Sequence, residues 1–150
     1  MGSLNIQERI EKVKILFEQC KDWETKYTKL ISLGKSLSDL DPLLKTEQAL
    51  VKGCQSQVWL HAFLNDQGKM EIRGDSDAIL VKGLVALLIQ VYSEATPDEI
   101  LATPPDFIQS IGFKEHLSPS RTNGLFSMIK QIQLFAQAFI MIRRSMKKPE

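Results

Sequence analysis

Apolar residues recur every three or four positions in two segments near the start of the chain and in one long segment at its end. This spacing places them on one face of an α-helix. The pattern predicts a first helix that opens at Asn5, with Glu8 completing a capping box, and a second that begins after Asp22 and ends at Gly34. A long last helix is predicted to begin at Ser118-Pro119.

The middle of the chain carries a strand pattern instead. Segments 58–64 and 69–73 are rich in β-branched and aromatic residues or alternate polar with apolar ones, and the turn-forming residues 65–68 separate them. This arrangement predicts a β-hairpin. A two-stranded hairpin is marginal alone, so we expect a third strand around Ala49–Lys52.

A very apolar segment, Ala78–Ser93, follows the hairpin and predicts a central buried helix capped by Asp75 and Asp77. Two short helices are expected after it, one opened by the capping box at Thr96 and one spanning Pro105–Gly112. The order is helices, a short meander, then helices. It predicts a single domain over residues 1–150 with an α+β fold, in which helices pack on one face of a small antiparallel three-stranded sheet.

Charge and cysteine content exclude several classes of protein. The 150 residues carry a net charge of only +1, which gives no long-range attraction to nucleic acid or to an anionic membrane. The run from Ala78 to Tyr92 is too short to span a bilayer. Two cysteines without a CxxC pair favour a reducing compartment, so we expect a cytoplasmic protein.

Common catalytic motifs are absent from the sequence. The eight glycines form no phosphate-binding loop, and neither HExxH nor GxSxG occurs. His61 and His116 lie far apart in sequence and are expected to be solvent-exposed or hydrogen-bonded structural residues. We therefore predict no metal site.

Cys54 is the clearest candidate for a reactive side chain. It follows Gly53, precedes the polar residues Gln55 and Ser56, and lies on a turn before the first strand. Gly53 permits a positive φ, which suits a turn that presents a side chain. From these residues alone, Cys54 is either a reactive thiol or a buried turn cysteine.

Several short motifs, in order along the chain, resemble the signature of the SufE family of sulfur-acceptor proteins. The resemblance extends from about Ile10 to the last helix. Its motifs are Gly53-Cys54-Gln55-Ser56-Gln57-Val58-Trp59, Gly74-Asp75-Ser76-Asp77-Ala78, Val81-Lys82-Gly83-Leu84, Thr96-Pro97, His116-Leu117-Ser118-Pro119-Ser120-Arg121 and Gly124-Leu125, together with Trp23-Glu24-Thr25-Lys26-Tyr27 and Leu33-Gly34 nearer the N-terminus.

The resemblance implies a fold shared with IscU-type iron–sulfur scaffolds and a role in sulfur transfer. Such a protein takes persulfide sulfur from a SufS-type cysteine desulfurase, stimulates that enzyme, and passes the sulfur to a scaffold complex of the SufBCD type. It needs no cofactor of its own, because the pyridoxal phosphate is on the desulfurase.

The resemblance also implies roles for individual residues. Cys54 is the acceptor thiol, Gln55 and Ser56 flank its sulfur, and Arg121 supports the reaction. A cation such as Arg121 or Lys52 would lower the thiol pKa and raise the thiolate fraction. Asp77 is a candidate for contact with the partner.

Two other functions remain open at this point. A small-molecule sulfurtransferase or peroxidase would need a resolving thiol or a general base near Cys54, and the sequence offers no motif for either. A non-catalytic interaction module, or a metal-binding one using Cys20, Cys54, His61 and His116, is the other alternative.

Overall fold

The computed structural model describes residues 4–147 as an α+β fold, which confirms the predicted class. The hairpin lies in the middle of the chain, with helices before and after it. The elements are α1 (Ile6–Glu18), α2 (Trp23–Ser36), short 3₁₀ turns at Pro42–Leu44 and Glu47–Ala49, β1 (Val58–Leu64), β2 (Met70–Ser76), α3 (Ile79–Tyr92), α4 (Pro97–Leu101), α5 (Phe107–Ile111), α6 (Phe113–His116) and α7 (Pro119–Lys147).

The helix starts follow the local signals in the sequence. Asn5 and Thr96 each form a complete capping box, and the Asp22 carboxylate accepts a hydrogen bond from the Thr25 amide. These side chains satisfy amide groups that a helix N-terminus leaves unpaired. Gly112, in the left-handed region at φ 87°, ends α5 as predicted.

β1 and β2 form an antiparallel hairpin, with Ala62 opposite Ile72. The third strand that we expected at Ala49–Lys52 does not form in the described part of the chain, where the sheet has two strands. That segment makes an isolated bridge to β1, in which the Val51 amide donates to the Val58 carbonyl at 2.8 Å. A 3₁₀ turn before it and a glycine turn after it leave no room for a longer ladder.

The core lies between the hairpin and the helices. α3 packs against β2, and α7 packs against β1. Nine of the fourteen residues of α3 are buried, as expected for a central helix. Fully buried residues from several elements complete this core, including Val13, Leu30, Leu60, Met70, Leu84, Leu88, Tyr92, Ile108 and Leu125.

Gly34 does not end α2, which was the expectation. It lies inside the helix, where α2 crosses α3 at Gly83. A Cβ on Gly34 would lie 2.8 Å from the Gly83 amide nitrogen, and one on Gly83 would lie 2.2 Å from the Leu30 carbonyl oxygen. Both glycines are therefore required for the close approach of two helix backbones.

The predicted caps of α3, Asp75 and Asp77, are also wrong. β2 continues to Ser76, and Ala78 at the helix start makes no side-chain capping bond. The Ser76 hydroxyl instead accepts a hydrogen bond from the Ala78 amide at 3.2 Å. The extra length of the strand carries both carboxylates away from the helix amides.

Asp75 is a buried carboxylate, only 3% exposed, that ties the α2–β1 connection to the sheet. It accepts hydrogen bonds from the Leu40 and Ser76 amides, and it pairs with Lys82 at 3.3 Å and Lys45 at 3.4 Å. Burial alone would raise the pKa of Asp75, but these hydrogen bonds and the Lys82 charge hold it below its ordinary value.

α7 is long and apolar enough, by length and composition alone, to cross a bilayer, although the longest apolar run in the sequence lies in α3. Part of its apolar surface belongs to the core, since Leu125, Ile129, Ile132 and Ala136 are at most 2% exposed. The expected lack of a membrane partner stays a prediction. So does the single domain over 1–150, whose ends lie outside the described residues.

Candidate functional site

A tight turn before β1 positions the candidate thiol. Gly53 has φ 92°, in the left-handed region, as its place in the sequence predicted. The turn packs closely on α7, where a Cβ on Gly53 would lie 2.6 Å from the Ser127 Oγ. Backbone conformation therefore requires glycine before Cys54, and the packing against Ser127 leaves little room for a side chain there.

Cys54 is half-buried against the early turns of α7. Its Sγ donates a hydrogen bond to the Gly124 carbonyl oxygen at 3.6 Å. Cys20 is also a free thiol, but it is buried near the end of α1, where its Sγ donates to the Leu16 carbonyl at 3.7 Å. Cys54 lines a cavity, whereas Cys20 is 7% exposed in the core.

That cavity has a volume of about 240 Å³. It lies between the turn that carries Cys54 (called the thiol turn below), α3 and the start of α7. It brings together Cys54 and three other residues predicted for the site, Gln55, Ser56 and Arg121. The rest of the lining comes from Val81, Leu84, Ser118, Ser120, Gly124 and Met128.

Sequence patterns singled out this remaining lining only in part. Val81, Leu84, Ser118, Ser120 and Gly124 belong to the resembling motifs. Ser118 was also expected to open the last helix, and the hydrogen bond that its hydroxyl accepts from the Arg121 amide at 3.3 Å supports this. A glycine inside a helical run, as at position 124, is itself a signal of close packing. Met128 belongs to none of these motifs.

Burial dominates the electrostatics of Cys54. Burial raises the pKa of the Cys54 thiol above its ordinary value. Arg121 lines the cavity but is exposed, and Lys52 lines a separate groove that it shares with Lys130. The hydrogen bond to the Gly124 carbonyl uses the thiol proton and so also suits the neutral form.

The raised pKa predicts slow alkylation of Cys54 at neutral pH. The thiolate is the nucleophile, so the rate of carbamidomethylation by iodoacetamide should rise with pH to a midpoint above that of the same cysteine in the unfolded chain. At pH values between the pKa of the unfolded chain and that of the folded protein, a larger fraction of the thiol is protonated in the folded protein. Mass spectrometry of the Cys54 peptide at each pH, in buffer and in urea, measures both midpoints. A folded midpoint at or below the unfolded one would contradict this prediction.

Asp77 contacts the far end of the thiol turn. Its Oδ1 accepts a hydrogen bond from the Gln57 amide at 3.0 Å, and the Gln57 carbonyl accepts one from the Ser76 hydroxyl at 2.8 Å. Asp77 thus links the turn to the β2–α3 junction. Its expected contact with a partner stays a prediction.

The two histidines make contacts in the fold that fit structural roles. His61 Nε2 lies 2.6 Å from the Leu44 carbonyl oxygen, and the His116 ring packs on Trp23 with centroids 4.2 Å apart. Across residues 4–147, no three His, Cys, Asp or Glu residues are gathered as a metal site would need. The described residues therefore do not assemble the metal-binding alternative.

Comparison with known proteins identifies the family of this chain. The family model described as "SufE: Fe-S metabolism associated domain" matches residues 11–136. The chain is 40% identical over 125 residues to SufE-like protein 1, chloroplastic/mitochondrial, of Arabidopsis thaliana, covering 83% of this chain and 34% of that protein. It therefore spans about a third of that relative's length.

A solved structure has the same fold. It is the solution structure of a hypothetical protein from Thermus thermophilus, with a TM-score of 0.74 and 22% identity, and the match covers 89% of this chain and 96% of that one. At this identity the likeness bears on the fold alone. The match of the family model over most of the chain shows that this protein belongs to the SufE family and is associated with Fe–S metabolism.

Proposed function

We propose that this protein is a sulfur acceptor and carrier that takes persulfide sulfur from a cysteine desulfurase onto Cys54. It stimulates the desulfurase by removing that sulfur, and it delivers the sulfur to a scaffold complex of the SufBCD type in the cytoplasm. The observation that carries the proposal is a half-buried free thiol on a glycine turn, opening on a small cavity, in a chain of the SufE family. The pyridoxal phosphate belongs to the partner.

The transfer is an exchange at sulfur. The Cys54 thiolate attacks the outer sulfur of the donor persulfide, a new S–S bond forms to Cys54, and the donor S–S bond breaks. The donor cysteine leaves as a thiolate. The outer sulfur keeps its proton as it moves to Cys54. Charge and oxidation state balance, so no external oxidant or reductant is required.

The resting state of Cys54 suits a carrier whose free thiol must not react with oxidants or electrophiles before the donor arrives. Burial keeps the thiol protonated by raising its pKa, and its hydrogen bond to Gly124 keeps it turned toward α7. Attack on a donor persulfide requires the thiolate, so the proton must leave when the partner docks. We propose that docking displaces the turn and exposes Cys54 to the donor sulfur.

If the turn moves on docking, the hydrogen bond from the Gln57 amide to Asp77 limits how often it opens. Replacing Asp77 with alanine should speed hydrogen exchange at the Gln57 amide about two- to tenfold, the value of one hydrogen bond. Asp77→Asn is the matched control, because its amide oxygen can still accept this bond. The exchange rate of the Gln57 amide is measured by NMR or mass spectrometry. Equal rates in Asp77→Ala and the parent would contradict this role.

Alanine release tests the proposed function. A SufS-type desulfurase is supplied with pyridoxal phosphate and cysteine, and alanine is measured as this protein is added. The rate should rise with added protein and saturate as the complex fills. A rate that never changes would overturn the carrier role.

The alternative of a small-molecule thiol enzyme finds less support at this site. Such an enzyme would need a general base or a second thiol beside Cys54. Among the described residues, the cavity lining includes no histidine, carboxylate or second cysteine.

A further inference from the structure

Gly124 lies where a helix would ordinarily favour another residue. It is buried within the first two turns of α7, and its φ is not in the left-handed region, so backbone conformation does not require glycine there. Glycine is the least favourable residue after proline inside a helix, and alanine is the most favourable. Some other constraint must explain the missing side chain.

The space beside Gly124 opens on the reactive sulfur. A Cβ built on Gly124 would have Cys54 as its nearest neighbour, 3.4 Å from Sγ, 3.9 Å from Cβ and 4.0 Å from Cα. Gly34 and Gly83 differ, because a Cβ there would meet the backbone of another helix. Gly124 alone of these three faces a chemically active side chain.

This gap adjoins the 240 Å³ cavity that Cys54 also lines. A persulfide places a second sulfur about 2.05 Å beyond Sγ, so the modified residue needs volume that the thiol does not. The structure shows such room next to Sγ in the cavity and at the position that a Cβ at 124 would occupy.

We propose that Gly124 is a specificity-determining position that leaves room for the outer sulfur of the Cys54 persulfide and shelters it from external thiols. The inference rests on the proposed function, since it concerns the sulfur that Cys54 carries. A thiol tolerates a methyl group 3.4 Å away as an ordinary contact, and alanine keeps the backbone carbonyl that accepts the thiol hydrogen bond. The same methyl group would force a bound outer sulfur toward solvent.

Gly124→Ala tests this with a donor that needs no docking partner. Glutathione persulfide is mixed with the protein, the Cys54 thiolate takes its outer sulfur, and glutathione leaves as a thiolate. Intact mass then reports loading by one sulfur, and its loss is followed after dithiothreitol is added. In Gly124→Ala the sulfur should be lost about tenfold faster than in the parent, or fail to accumulate, because access controls exchange at sulfur.

Two further readouts separate this role from a structural one. Alkylation of the unloaded thiol by iodoacetamide should stay within about twofold of the parent, since the thiol itself keeps its place. The melting temperature should be equal or higher, because alanine favours the helix. Asn123→Ala, an exposed change on the same turn, is the control and should leave the persulfide lifetime unchanged.

Equal persulfide lifetimes in Gly124→Ala and the parent would overturn the inference while leaving the carrier role intact. A lowered melting temperature or strongly altered thiol alkylation would overturn it too, because the methyl group would then disturb the unloaded protein. If the parent takes sulfur neither from glutathione persulfide nor from a desulfurase, the proposed function is overturned and this inference with it.

Discussion

A Cys54→Ser variant of this protein is expected to lose the ability to stimulate a SufS-type desulfurase, measured as the rate of alanine release. Serine retains the shape of the side chain and can donate the hydrogen bond that the thiol gives to the Gly124 carbonyl. Its hydroxyl cannot take up sulfane sulfur, because the exchange needs a thiolate that attacks sulfur and then holds it. The desulfurase rate with this variant should equal the rate without any acceptor.

Cys20→Ser is the matched control for that experiment. Cys20 is the other cysteine of the chain, and it is buried near the end of α1. This variant should retain stimulation, with at most a lower melting temperature, because a hydroxyl replaces a thiol in the core. Stimulation that survives in Cys54→Ser, or is lost only in Cys20→Ser, would contradict the assignment of the acceptor.

Gly83→Ala is expected to cause a large loss of stability for the addition of a single methyl group. The added Cβ would lie 2.2 Å from the Leu30 carbonyl oxygen and 2.7 Å from its carbonyl carbon, both backbone atoms that cannot rotate away. α2 and α3 must separate to relieve the overlap, which disturbs a core contact between two helices. Overpacking costs about 1–3 kcal/mol, and overlap with backbone atoms places this substitution near the upper end of that range. The melting temperature should fall by about 6–12 °C.

Gly124→Ala is the matched control for the stability measurement. Both substitutions add one methyl group inside a helix, but the nearest atom to the new methyl at Gly124 is 3.4 Å away. Calorimetry of the two variants therefore separates helix propensity, which favours alanine in both, from overlap, which arises only at Gly83. A Gly83→Ala protein as stable as the parent would contradict the described crossing of α2 and α3.

The fold was predictable wherever the signal is local. Capping at Asn5, Asp22 and Thr96 depends on residues three positions away, and the hairpin turn depends on the residues between its strands. Gly34 could not be assigned correctly in the same way, because its role depends on Gly83 in another helix. A glycine near the end of a helical pattern is typical of a helix end as well as of close packing.

The β2–α3 junction shows the same limit. Acidic residues before an apolar helix are typical caps, and this made Asp75 and Asp77 good candidates. The strand extends further than the alternation indicated, and the carboxylate of Asp75 meets Lys82 while that of Asp77 meets the thiol turn. Pairing partners this distant in sequence are set by the tertiary fold.

The site was predictable in its central residue and less so in its surroundings. The glycine before Cys54 indicated a turn, and the resemblance to the SufE family indicated Arg121, Gln55 and Ser56, which all line the same cavity. The direction of the Cys54 pKa could not be predicted, because burial against α7 cannot be read from the neighbouring residues. Nearby cations in the sequence do not establish a charge beside the sulfur.

The most direct test of the carrier role is the mass of the Cys54 peptide after the protein is mixed with a SufS-type desulfurase, pyridoxal phosphate and cysteine. Digestion without reductant should give this peptide heavier by one sulfur atom, and omission of cysteine should remove the gain. An unmodified Cys54 peptide while the desulfurase turns over, or sulfur found on the Cys20 peptide instead, would contradict the account.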